Sequence, residues 1–226
     1  MKINILKQII ENKKQKTEFS IITDLSTGET KILKKDLPFD EKLKKYSKQI
    51  NDFLKNKKNG VISDTNLFVE TFVRPIKVII VGAVHIAQYL VDYAKSLNFE
   101  IHIIDPRGYF ASEKRFPNVN IINKWPDQAF KELDTDQSTA LIALTHDPKI
   151  DDPALKHALD KRFYYIGALG SKKTHSNRCD RLKEAGYTHD QINQIHGPIG
   201  IKLGGKSASE IALSIISQLV LITNNR

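Results

Sequence analysis

The sequence predicts an α/β protein of 226 residues: a doubly wound parallel sheet over residues 75–226, preceded by a small α+β domain over residues 1–74. Three observations carry this. From Lys77 onward apolar strand-like runs alternate with helix-like runs, which is the pattern of a parallel sheet covered on both faces. Lys77–Val81 carries a continuous apolar run, Val78 to Val81, as a strand buried on both sides requires. That run ends in Gly82 and a helix start, the place where nucleotide-binding folds turn from strand to helix.

The elements run in order along the chain. Residues 1–16 read as a short helix, 18–23 as a strand, 26–29 as a turn and 30–33 as a returning strand. Leu43, Tyr46, Ile50 and Leu54 recur at helical spacing, so 42–54 is expected as one helix closed by Gly60. A strand at 67–73 completes the small domain, and Pro75 separates it from the second domain. The second domain is expected to run as strand 77–81, helix 86–97, strand 100–105, strand 119–122, helix 126–133 and strand 139–145. It continues as helix 152–161, with Asp152 as N-cap and Pro153 at N1, strand 163–166, and helices 171–185 and 208–222. Together these describe a Rossmann-like doubly wound sheet with right-handed crossovers.

Composition narrows the function classes. The single cysteine, Cys179, forbids an internal disulfide and fits a reducing, cytoplasmic compartment. No apolar stretch approaches the ~20 residues of a membrane span, and the N-terminus lacks a signal-peptide core. Residues 1–60 hold fifteen lysines, no arginine and eight acidic residues, and so carry seven of the nine net positive charges. Without arginine, this reads as a solvated surface rather than a nucleic-acid face.

Four constellations carry chemistry. Residues 82–87 occupy the place of a dinucleotide fingerprint: Gly82 allows the tight turn and Ala87 allows helix to pack on strand. Val84 stands where a glycine would admit a pyrophosphate, and a β-branched side chain obstructs that approach. His85 opens the helix, either facing a ligand phosphate or serving only as a polar helix start. Asp105, at the end of the next strand, is where an acid bonds a ribose hydroxyl. The second constellation, Thr145, His146, Asp147, Asp151 and Asp152, crowds polar groups past another strand end, a binding loop without a zinc or calcium spacing. The third places Gly167, Gly170, Ser171, Lys172 and Lys173 at a strand-to-helix turn, with Ser171 as N-cap. Backbone N–H groups there attract an anion, and Arg178 adds charge. The last is the glycine-rich loop 196–206, with Glu210 a helix-start carboxylate. Cys179 lies inside a helix, where a lone cysteine packs as a small hydrophobe.

Several long strings now stand in one order: 82–88, 104–107, 115–117, 125–127, 144–153, 165–175 and 198–200. In them the chain resembles the XdhC/CoxI family over residues 67–222. The resemblance implies an accessory protein for a molybdenum hydroxylase of the xanthine or carbon monoxide dehydrogenase type. It would bind molybdenum cofactor (molybdopterin or a dinucleotide form), assist its sulfuration and deliver it. It implies a non-catalytic chaperone whose partners are the apoenzyme and a cysteine desulfurase, with a homodimer as its assembly. The implied cofactor-binding residues are Gly82, Val84, His85, Asp105, Arg107, Thr145, His146, Asp147, Gly167, Gly170, Ser171, Lys172 and Lys173, with no catalytic residue and no metal ligand. Many relatives carry a glycine-glycine-cysteine motif in a longer N-terminal domain; residues 1–74 have no cysteine. Many also have glycine where Val84 stands, and Lys202 and Ala208 replace an expected acid and proline. The frame itself leaves a second reading open, an NAD(P)-binding oxidoreductase.

Overall fold

The structure is a computed structural model describing residues 3–15, 17–34 and 39–225; the first two residues and residue 16 of the expected N-terminal helix lie outside that range. The chain divides into two compact units, Met1–Pro75 and Ile76–Arg226.

The first unit runs α1 (Ile3–Lys14), β1 (Phe19–Asp24), β2 (Thr30–Lys34), α2 (Glu41–Lys44), α3 (Ser47–Lys55), β3 (Gly60–Val61) and β4 (Leu67–Phe72). Its four strands form an antiparallel sheet in the order β2-β1-β4-β3. Strand alternation sends Phe19 and Ile21 toward Ile9 of α1, and Ile22 toward Val69, Leu43 and Ile50. Phe19 also stacks on Phe72 across the β1–β4 pair, with centroids 4.6 Å apart. The single helix expected over 42–54 is two, because the backbone leaves helical geometry at Tyr46 (φ −101°, ψ 3°). Lys57, at φ 52°, makes the left-handed turn after α3, and Gly60 instead begins a strand. The helix therefore ends before its expected glycine.

The second unit runs β5 (Lys77–Val81), α4 (His85–Ser96), β6 (Glu100–Ile104), β7 (Asn120–Ile122), α5 (Pro126–Ala129), β8 (Thr139–Ala143) and α6 (Pro148–Asp160). It continues with β9 (Tyr165–Ala168), α7 (Lys172–Glu184), α8 (His189–Ile192), β10 (Ile195–His196) and α9 (Ala208–Asn224). Six parallel strands lie in the order β10-β9-β8-β5-β6-β7. The chain starts at the centre, moves outward through β6 and β7, then returns to the other side of β5. This is the Rossmann order, with its switch point between β5 and β8.

Both faces are covered, and β5 shows how. Val78 and Ile80 pack with Leu90 of α4 and Ile215 and Leu219 of α9. Ile79 and Val81 pack with Leu155 of α6 and Leu182 of α7 on the opposite face. Four consecutive apolar residues, Val78 to Val81, are the sequence form of this double burial.

One helix start differs from expectation. Helix α6 begins at Pro148, and its N-cap is Asp147, whose carboxylate accepts the Lys149 amide at 2.9 Å. Asp152 and Pro153 lie inside the helix instead. Burial of Ile150, Ala154 and Leu155 on the sheet offsets the donor that Pro153 lacks. No helix among the described residues is long and apolar enough to cross a membrane.

Candidate functional site

Ligands of open α/β sheets bind beyond the strands' C-terminal ends, at the switch point. The loops meeting there come after β5 (residues 82–84) and β8 (residues 144–147). Gly82 takes φ +109°, and a Cβ on it would lie 2.7 Å from Thr145 Cγ2. Glycine therefore serves two ends, a left-handed turn and direct packing of one loop on the other. Val84 is the N-cap of α4 in extended geometry and offers no side-chain oxygen, so the first-turn N–H groups of α4 lack a side-chain cap. His85, exposed at the first helical position, approaches Gln88 Oε1 at 3.2 Å through Nδ1 and lies edge-on to Tyr89.

Past β6, Asp105 is fully buried and its two oxygens accept four hydrogen bonds. These come from the Ala83 amide (2.8 Å), the Arg107 amide (2.9 Å), Arg107 Nε (2.9 Å) and Arg107 Nη2 (2.8 Å). Burial alone would push its pKa up; the Arg107 and Ala83 bonds outweigh it and hold the carboxyl below the ordinary value. The carboxylate thus turns inward and orders the β5–α4 turn, while the half-exposed Arg107 guanidinium presents to the edge. A ribose contact at Asp105 would have to displace one of these donors. Arg107 lies over the Phe110 ring at 4.9 Å and feels the charges of Asp147 and Asp151. Arg115 ties the same region together, donating to Ala83 O (2.7 Å) and Phe110 O (2.6 Å).

Past β8, the carboxylate of buried Asp151 gathers the loop. It accepts the Thr145 hydroxyl at 2.6 Å, the His146 amide at 3.0 Å and the Thr145 amide at 3.3 Å. His146 adopts the left-handed φ of 63°, and its side chain is exposed. Burial pushes the Asp151 pKa up, opposed by the Thr145 hydroxyl. Asp152 pairs bidentately with Arg181 at 2.6 and 2.9 Å. The acidic side chains of this loop are thereby engaged in capping, loop closure and an ion pair. Among the described residues no three His, Cys, Asp or Glu side chains converge as a metal site would require.

Past β9, Gly170 and the N-cap Ser171 open α7, with the Ser171 hydroxyl accepting the Thr174 amide at 3.1 Å. Lys172 and Lys173 are exposed on its first turn. Gly167 lies inside β9, where a Cβ would meet Ile199 Cδ1 at 2.4 Å; in this structure it admits the 198–199 loop against the strand. Between α6 and α7 opens a cavity of about 360 Å³ lined by His146, Asp151, Lys173, Thr174, Arg178 and Arg181, among others. Cys179 is half-buried, its Sγ 3.6 Å from His175 Nε2.

The expected residues therefore fall into neighbouring groups along one sheet edge. Gly82, Asp105 and Arg107 share hydrogen-bonded loops past β5 and β6; Thr145, His146 and Asp147 stand at the switch point; His146 and Lys173 both line the cavity. Arg115, Thr174 and Arg181 were not expected from sequence. For the α7 residues a signal existed: Thr174, Arg178 and Arg181 recur at helical spacing after the Ser171 cap, which puts them on one face.

The family model of the XdhC Rossmann domain matches residues 78–219. Over 103 residues, 46% of this chain, the sequence is 35% identical to the molybdenum cofactor insertion chaperone PaoD of Escherichia coli. Over 157 residues, 69% of this chain, it is 25% identical to a probable xanthine dehydrogenase subunit of Bacillus subtilis. The matches span 32% and 46% of those relatives, so the chain spans well under two thirds of their length. The crystal structure of a xanthine dehydrogenase from Bacillus halodurans matches with TM-score 0.73 and 20% identity, covering 99% of this chain and 67% of that one. At that identity the likeness carries the fold.

Proposed function

The chain belongs to the XdhC family, and from that premise we propose that it assists the maturation of a molybdenum hydroxylase of the xanthine dehydrogenase kind, in the cytoplasm. On this reading it holds molybdenum cofactor as cargo at the C-terminal edge of its sheet and releases it to the apoenzyme. The observation that carries the proposal is the edge itself. The uncapped start of α4, the Arg107 guanidinium, and the α7 start with Lys172 and Lys173 set backbone N–H groups and cations along the C-terminal sheet edge, on both sides of the Rossmann switch point. Phosphate or pyrophosphate on a pterin cofactor is the chemistry such an edge attracts. The name of one sequence relative, a molybdenum cofactor insertion chaperone, agrees with this cargo, and that of the other, a probable xanthine dehydrogenase subunit, agrees with the enzyme class.

The chain's own residues would bind and orient. Gly82 and Thr145 set the two loops against each other, Asp105 fixes Arg107, and Asp151 fixes the His146 backbone. No covalent step is required of them. Sulfuration, in this proposal, is supplied by a cysteine desulfurase docking while the cofactor is held, and the carrier works as a homodimer, a state that mass measurement in solution checks. The test of the function is reconstitution: purified apoenzyme, cofactor released from a donor, and this chain present or absent. The proposal expects more active enzyme with the chain than without. Equal yields in both arms would refute it.

A second reading, an NAD(P)-dependent oxidoreductase, is favoured by the Rossmann strand order alone. Val84 at the helix start and the engaged Asp105 weigh against it. Fluorescence titration with NADH separates the two: saturation at micromolar NADH supports the oxidoreductase.

A further inference from the structure

The cavity between α6 and α7 has one feature that packing and capping leave unexplained. Arg178 is 2% exposed, on a helix whose other basic residues are not buried. Its Nη2 donates to Leu169 O at 2.9 Å and its Nη1 faces His175 Nδ1 at 3.5 Å, while its buried Nε has no hydrogen-bond partner. An arginine keeps its proton in proteins, so this is a buried cation with an unpaired donor, which is costly unless something completes it. Asp151 supplies nearby negative charge, but its oxygens are taken by the Thr145 hydroxyl and the amides of Thr145 and His146. Arg181 is committed to Asp152. Lys173, on the first turn of the 13-residue helix α7, stands at the cavity's solvent side with Thr174 and Asn177. The lining therefore offers a buried guanidinium, an exposed ammonium, neutral hydroxyl and amide groups and a helix start. Its only carboxylate among the described residues, that of Asp151, is already hydrogen-bonded.

We infer that this cavity is a seat for an esterified phosphoryl group, with Arg178 as its buried donor and Lys173 as its solvent-side cation. A phosphate oxygen suits a guanidinium N–H not committed to Leu169 O, and a tetrahedral dianion answers the excess of positive charge. At about 360 Å³ the cavity has room for a phosphoryl group and the first atoms of what carries it. The inference rests on the proposed cargo only for the identity of the ester; the seat itself is defined by the side chains.

The experiment titrates the full chain with inorganic phosphate and with phenyl phosphate by calorimetry, at fixed ionic strength. Saturable binding of both at a 1:1 ratio is expected, the ester at least as tightly as the ion. Lys173→Ala should weaken both roughly 10-fold, the scale of one hydrogen bond to a charged group. Lys183→Ala, on the same helix but away from the cavity, should change neither by more than about twofold. Arg178→Lys should weaken binding further; should that variant fail to fold, the lysine pair still decides. The inference is overturned by the absence of saturable binding, by equal weakening in both lysine variants, or by binding unmoved in Lys173→Ala. Binding of the free ion without the ester overturns the ester and leaves a free-phosphate site. Because inorganic phosphate reads the seat without any pterin, failure here is distinct from failure of the maturation assay.

Discussion

Replacing Asp105 by asparagine should cost this protein stability and should do so in a pH-dependent way. The two oxygens of Asp105 accept four N–H donors, from Ala83 and Arg107. An amide keeps one acceptor, and whichever way it is turned its NH2 group points at two donors. The Arg107 side chain is 42% exposed and can turn into water, so its charge pairing is discounted for screening. The backbone amide facing the new NH2 group is held in place and loses its partner, at about 1–3 kcal/mol. With the residual loss of the ion pair, Asp105→Asn should cost roughly 2–4 kcal/mol at neutral pH. The pH sign comes from the depressed native pKa. The native state takes up its proton at lower pH than the unfolded chain, so this stabilisation is complete above about pH 5 and is lost as pH falls through the native pKa. The assay is urea denaturation monitored by the fluorescence of Trp125, the one tryptophan, which lies in the Rossmann unit. The gap between wild type and variant should shrink on acidification. A gap below about 0.5 kcal/mol at pH 7, the range of an ordinary surface change, would refute the reasoning.

Three further outcomes are expected. Gly82→Ala should destabilise the Rossmann unit by about 2–4 kcal/mol, from left-handed strain and a Cβ driven against Thr145, measured by the same denaturation. Gly167→Ala should cost about 1–3 kcal/mol by overpacking against Ile199, and the added change Ile199→Val should recover part of it in a double-mutant cycle. His157 stacks on Phe130 at 4.0 Å, and burial lowers its pKa. Its contribution is therefore present above the ordinary histidine value and lost as pH falls toward the native one. His157→Gln should flatten, without abolishing, the fall in stability between about pH 7 and pH 5, because His175 and His196 are shifted the same way.

What the sequence made legible was local. The unbroken apolar run of β5, the glycine after it and the Ser171 cap each act within a few residues, and each is where the sequence places it. The start of α6 was not legible, because Asp147-Pro148 and Asp152-Pro153 both satisfy the same capping rule. The choice falls to Asp147 because Asp151 must sit inside the helix to reach the Thr145 and His146 amides, a requirement of the folded loop. Strand β10 is two residues long and exists through its pairing with Ile166 and Gly167 at the sheet edge, so no periodicity announces it. The engagement of Asp105 by Arg107 and the burial of Arg178 likewise depend on neighbours that only the fold assembles.

The most direct test of the carrier role is cofactor retention. The full chain, purified without oxygen from cells that make molybdenum cofactor, is assayed for pterin and molybdenum beside a His85→Ala/Lys173→Ala variant shown to be folded. A carrier that uses this edge keeps pterin in near-stoichiometric amount in the wild type and largely loses it in the variant. Pterin absent from the wild type, or retained equally by the variant, would contradict the claim that the sheet edge holds the cargo.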